Sequence, residues 1–224
     1  MIPYLFTLLS LLPAKPEKLS YGTITFNATM QGEPMQLHTM YATGHGNDSV
    51  SLSTCKFYIV DIVLLDGSKV VGEPELKYIL IDLSDSSSLN IPFVYKGHFN
   101  GIRFTLGVDS ATNMSGPKAG ALDPVNGMYW TWQSGYINAK IEGIRTGCDT
   151  AREFLYHIGG YHAPDQTALV TYRICKTSEK INVTLDMERF FSTVTCDMDA
   201  TVQIPGAKAH ALAAYMSASF VINQ

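Results

Sequence analysis

The stretch GIRFTLG, residues 101–107, alternates apolar with polar side chains, and the same spacing recurs along much of the chain. A period of two places one set of side chains in a core and the other in water, as a strand does and a helix does not. Strand-like runs rich in β-branched and aromatic residues fall at 23–30, 35–40, 55–65, 76–83, 99–108, 128–142, 152–159, 167–175 and 180–187. Turn signals separate them, among them Asp66-Gly67, the SDSSS run at 84–88 and GPKAG at 116–120. This rhythm predicts a mainly β fold, an antiparallel β-sandwich. Residues 207–216 follow Pro205, are rich in Ala, and predict a short C-terminal helix laid on the sandwich.

The 224 residues carry only 16% charged side chains and 11% aromatics, so a sizeable core is affordable and disorder is not expected. We expect a single domain over 21–224. A net charge of -4 and a pI near 5.8, with no Lys/Arg stripe, give no field for nucleic acid. The apolar run 2–12 has the length of a signal-peptide core and is too short to span a bilayer. Residues 1–20 are therefore read as a signal peptide or N-terminal segment. A periplasmic or secreted protein without an integral membrane span is expected. No Lys or Arg precedes the run and Pro3 interrupts it, so a buried strand is the alternative.

Cys55, Cys148, Cys175 and Cys196 show no CxxC spacing, which argues against a zinc ribbon or a thioredoxin-like pair. In an exported chain they allow one or two disulfides; buried free thiols are the alternative. The chain lacks HExxH, the GxSxG elbow, the Walker loop and the dinucleotide glycine pattern, and no enzyme activity is expected.

Three sets of side chains merit attention as sites. Asp109, Asn113 and Ser115 place oxygens on alternate positions of a loop, as half of a calcium site would. Ala111 occupies a ligand position and no bidentate Glu follows, so a side-chain-capped turn is the plainer reading. Among six histidines, His157 stands on a strand just ahead of Gly159-Gly160, a bend that lets a ligand or another backbone approach. Imidazole suits copper, zinc and iron, although a lone strand histidine is more often a packed one. Both tryptophans lie in one tripeptide, Trp130-Thr131-Trp132, where a strand would project the two indoles to the same face. Core packing is the ordinary role of such a pair.

Several segments in order resemble the MbnP-like family: FYIVDIVLLDGSKV, GIRFTLGVDSATNMSG, GALDPVNGMYWTWQSGYINAKIEG, YHIGGY and PGAKAHALAAYMSASFVI. The family comprises copper-binding partners of di-haem MauG-like enzymes and is related to the MopE/CorA copper proteins. The resemblance implies that a tryptophan is oxidised to kynurenine by the di-haem partner, an MbnH-like peroxidase. The new amine then joins histidine nitrogen on copper outside the cytoplasm. Carried over by motif, the modified residue is Trp130 or Trp132, with Trp130 preferred, and the ligand is His157. His45 and His38 are offered as second ligands without a motif to assign them. Opening an indole supplies a nitrogen lone pair where tryptophan offers a metal none. The rival expectation is an extracytoplasmic β-sandwich binding or structural module, for a carbohydrate or a protein, without a metal.

Overall fold

The run Cys55–Leu65 has no polar face, and the fold shows why. In the computed structural model, which describes residues 18–44, 46–133, 135–147 and 150–223, this run belongs to a long strand buried on both sides. The early strands are β1 (Leu19–Met30), β2 (Glu33–Pro34), β3 (Tyr41–Ala42) and the long β4 (Ser49–Asp66). Next come β5 (Lys69–Pro74), β6 (Tyr78–Asp82), β7 (Asn90–Lys96) and β8 (Gly101–Leu106). A short helix α1 (Ser110–Met114) leads to β9 (Tyr129–Trp130), β10 (Gly135–Thr146), β11 (Arg152–Gly159) and β12 (Leu169–Ile174). The chain closes with β13 (Lys180–Asp186), α2 (Met187–Thr193), β14 (Thr201–Val202), α3 (Ala207–Ala218) and β15 (Phe220–Asn223).

The fold is mainly β with the expected C-terminal helix, but it is not a strictly antiparallel sandwich. One continuous path of pairing runs β14-β11-β10-β4-β5-β7-β1-β13-β15 and includes two parallel pairs, β1 with β13 and β11 with β14. The sheet is mixed and curls over its own core. Parallel partners need a long crossover, and the registered pair Ile24 and Ile181 lies 157 positions apart in the chain. Local turn signals carry no trace of such a pairing.

β4 organises the sheet. Its first half pairs with β10, its middle with β6, and its second half with β8, with an irregular step between Val60 and Val63 where Asp61 takes φ 52°. Cys55, Phe57 and Ile59 enter the main core, which α2 and α3 close with Phe190, Phe191, Leu212 and Met216. Tyr58 and Val60, on the opposite face, enter a second cluster with Val108, Leu122, Met128, Trp130, Tyr136 and Ile137. A strand covered on both faces reads as a continuous apolar run, not as an alternation.

Two expected strands are different objects. Residues 35–40 form a turn in which His38 takes φ 62°, its N–H donating to Leu52 O at 2.7 Å. Residues 128–142 are not one strand but a hairpin, β9 turning back on β10 with Trp130 opposite Gly135. Strands β5, β7 and β15 and the helix α2 lie outside the expected runs; α2 starts at Asp186, whose carboxylate caps Arg189 N. Among the described residues no helix is long and apolar enough to cross a membrane. Cys55 and Cys175 are free thiols, and burial pushes them up to about 12 and about 11. Cys196 is disulfide-bonded, and Cys148 lies outside the described residues.

A buried ion pair ties the end of β10 to two loops. Arg145 and Asp48, 1% and 4% exposed, meet through Nε at 2.9 Å from Oδ1 and through a second contact from Nη2 to Oδ2. Arg145 Nη1 donates to Val194 O at 2.6 Å, and Thr43 Oγ1 donates to Asp48 Oδ2 at 2.8 Å. Removing one partner strands the other charge in the interior. Arg145→Met is expected to lower unfolding free energy in urea by about 3–5 kcal/mol, and adding Asp48→Leu to recover part of that loss.

Candidate functional site

Trp130 reaches its place through the turn chemistry of ALDPVNG, residues 121–127. Asp123 accepts from Val125 N at 2.9 Å and caps a 3-10 turn over Pro124–Asn126, and Gly127 ends it at φ 71°. Two tyrosines of the second cluster and a lysine of β10 hold this segment on the outer face of the sheet. Tyr58 OH donates to Ala121 O at 3.1 Å, Tyr136 OH donates to Leu122 O at 3.0 Å, and Lys140 Nζ donates to Gly127 O at 3.0 Å. β9 follows at once and delivers the Trp130 indole, 5% exposed, onto that face.

The two indoles do not share a face by strand alternation. β9 ends at Trp130, and Thr131, Trp132 and Gln133 are turn residues. Trp132 is 62% exposed, yet its ring packs beside that of Trp130, with centroids 5.9 Å apart and planes at 48°. One indole is in the protein and the other in solvent.

Gly159 is the floor under Trp130. A methyl group there would stand 2.6 Å from Cζ3 and Cη2 of the indole and 2.8 Å from Tyr136 O, so only a hydrogen fits. His157 is two residues earlier on β11, on the same face and about 7 Å back along the strand. The structure thus brings Trp130 and His157 to one patch of sheet.

His157 is half-buried and held at both ring nitrogens. Nε2 lies 2.6 Å from Glu142 Oε1, and Nδ1 lies 3.4 Å from Gln203 Nε2. An ionised carboxylate only accepts, so Nε2 carries the proton and Nδ1 the lone pair. Burial lowers the His157 pKa and outweighs the Glu142 hydrogen bond, which favours the charged ring. Burial alone would raise the Glu142 pKa, but hydrogen bonds from His157 and Thr54, with Lys140 nearby, leave it below the usual carboxylate value. The pair at neutral pH is a neutral imidazole donating to a carboxylate.

Sequence reasoning missed Glu142, Gln203 and Lys140. None belongs to a motif; the register of β10 against β11 brings Glu142 and Lys140 to His157, and the parallel register of β14, with Val202 opposite Tyr156, brings Gln203. Period-two spacing of Lys140 and Glu142 on one strand face was their only signal. The other candidates are elsewhere. His38 is exposed in its turn, and His45 lies outside the described residues. Asp109 caps α1, accepting from Thr112 N and Thr112 Oγ1 at 2.8 Å each, and Asn113 Oδ1 accepts from Tyr136 N at 2.8 Å. The Asp109 oxygens serve the capped turn, and Asn113 Oδ1 ties it to β10. Among the described residues no three His, Cys, Asp or Glu side chains converge as a metal cluster.

The fold and site define a mainly β protein with a curled mixed sheet, whose outer face carries a half-buried histidine beside a tryptophan pair. The family model described as MbnP matches residues 20–208, and the chain belongs to the MbnP family. Among solved structures, MbnP from Methylosinus trichosporium is similar in fold, with a TM-score of 0.60 at 16% identity, over 85% of this chain and 82% of that one. No curated protein matches the sequence.

Two outcomes follow from this geometry. Glu142→Gln removes the partner that favours imidazolium, so the His157 titration followed by NMR is expected to move further below its ordinary value. Gly159→Ala is expected to lift the Trp130 ring, shift tryptophan emission toward that of an exposed indole, and destabilise by about 1–3 kcal/mol.

Proposed function

We propose that the chain is an exported copper-binding protein, periplasmic or secreted and not itself an enzyme. Its site is completed when a partner di-haem enzyme of the MauG-like class oxidises Trp130, or less readily Trp132, to kynurenine. Membership of the MbnP family supports this reading. The observation that carries it is the seating of Trp130 on Gly159, two residues from His157 on the same face.

The unmodified side chains do not make a copper site. His157 has one carboxylate neighbour, and no third metal-ligating side chain converges on them among the described residues. A ligand set of one imidazole and one carboxylate is poor for copper, which prefers several nitrogen or sulfur donors. Ring opening at position 130 would supply a further nitrogen on that face. His157 would remain the imidazole ligand, already neutral, and Glu142 or Gln203 would orient its ring through the nitrogen not on the metal. Copper bound there would be held by residues that otherwise pack and hydrogen-bond.

The test is expression of the full chain with and without a di-haem MauG-like partner. Peptide mass spectrometry is expected to find one oxygen gained and one carbon lost at Trp130 only with the partner. Copper retention through desalting, read by electron paramagnetic resonance, should follow the modification and be lost in His157→Ala. An unmodified tryptophan pair together with no copper retention would leave the metal-free binding module, for which the exposed Trp132 ring is a stacking surface.

A further inference from the structure

A cleft of about 580 Å³ lies beside β6, and neither tryptophan lines it. Among the described residues β6 pairs with β4 alone, and no strand lies against its other edge. Lys77 O accepts from Asp61 N and Leu83 N donates to Cys55 O, each at 3.1 Å. In an antiparallel ladder, hydrogen-bonded pairs alternate. Odd-numbered residues of β6 therefore face β4, and the main-chain groups of Tyr78, Leu80 and Asp82 face the cleft.

The three positions are treated differently. Asp82 N donates to Ser88 Oγ at 2.9 Å and Ser88 Oγ donates back to Asp82 O at 3.0 Å, which closes that end of the edge. Tyr78 and Leu80 have no such cap for their main-chain N–H and C=O among the described residues. The opposite wall, where β7 and β5 splay from β6, carries Pro92 and Pro74. Proline offers no N–H to a new strand, so β6 is the wall equipped to build a ladder.

The geometry points to β6 as an acceptor edge for an extended segment of a partner protein, apolar at alternate positions and flanked by basic residues, which adds as a strand beside Tyr78 and Leu80. Strand addition of this kind takes affinity from main-chain bonds and selectivity from pockets for alternate side chains. Ile91, Pro92 and the exposed Leu76 give those pockets an apolar lining. Charge selects the flanks. Glu75, Asp82 and Asp85 stand around the cleft against Lys56, which is bonded to Asp82 at 2.8 Å. The uncapped edge, Tyr78 to Leu80, offers about 10 Å of strand.

The experiment uses the full chain, labelled with nitrogen-15, and a pool of hexapeptides with alternating Val and Thr flanked by Lys. Binding is expected with main-chain amide exchange at Leu80 slowed at least tenfold and exchange in β11 unchanged. Peptides N-methylated at alternate residues, on the face that would meet β6, are expected to bind at least tenfold more weakly. The exposed double variant Glu75→Lys with Asp85→Lys should reverse the preference toward Glu-flanked peptides. No binding across the pool, binding with unchanged Leu80 exchange, or indifference to N-methylation would each overturn the assignment. Protection of Leu80 that rises with protein concentration in the absence of peptide would assign the edge to a second copy and overturn it too.

Discussion

Burial of β4 on both faces is the constraint from which the rest of the molecule follows. Phe57 and Ile59 look into the main core, and Tyr58 and Val60 look the other way with no exposure to speak of. An apolar or aromatic side chain left in water on that outer face would forgo about 1.5–3 kcal/mol. The outer face must therefore be covered locally, and the segment between β8 and β10 is the cover. Tyr58 meets Tyr136 edge to face at 5.8 Å, and Tyr136 meets Tyr129 at 5.1 Å. Such contacts add about 0.5–1.5 kcal/mol each beyond area. Trp130 belongs to this cover, so the requirement to bury β4 also fixes the indole beside His157.

Two carboxylate pairs, Asp48 with Arg145 and Glu142 with His157, behave differently in this frame. Arg145 and Asp48 are sealed, multiply hydrogen-bonded and joined to Val194 and Thr43. Glu142 and His157 are only partly covered, at 23% and 13% side-chain exposure, and one ring nitrogen retains its lone pair. Low pH acts on the second pair through both members. His157 has a lowered folded pKa, so its stabilising neutral form is fully favoured above the unfolded value near 6.5 and is opposed as pH falls below it. The lowered Glu142 pKa adds stability above the unfolded value near 4.5 that fades as pH falls through its folded value. Both signs agree: acid loosens this patch.

What could be read from the sequence was what depends on near neighbours. β11 occupies 152–159, as its alternation predicts, and the Ala-rich stretch after Pro205 is a helix. Parallel pairing of β1 with β13 was not legible, because register between distant segments leaves no local period. β5 and β7 escaped for another reason. NIPFVYK alternates well, with Ile91, Phe93 and Tyr95 buried, but its Pro92 reads as a breaker and is tolerated only because the strand lacks a partner on part of one side. The site was half legible. Trp130 and His157 stood out by residue type, whereas Glu142 acquires its role only from the β10–β11 register.

The hairpin changes what the tryptophan pair means. On one strand the two indoles would be equivalent neighbours, and nothing would distinguish them. The turn after Trp130 makes them unequal: Trp132 faces solvent, and Trp130 is walled by Gly159 and the second cluster. On the proposed function, an external oxidant meets Trp132 first, while the imidazole has Trp130 as the indole seated on its own strand. Access and ligation are thus divided between two rings whose centroids are 5.9 Å apart. A chain with a single indole could satisfy one requirement fully only by compromising the other, since a ring packed against the β11 backbone cannot also be 62% exposed.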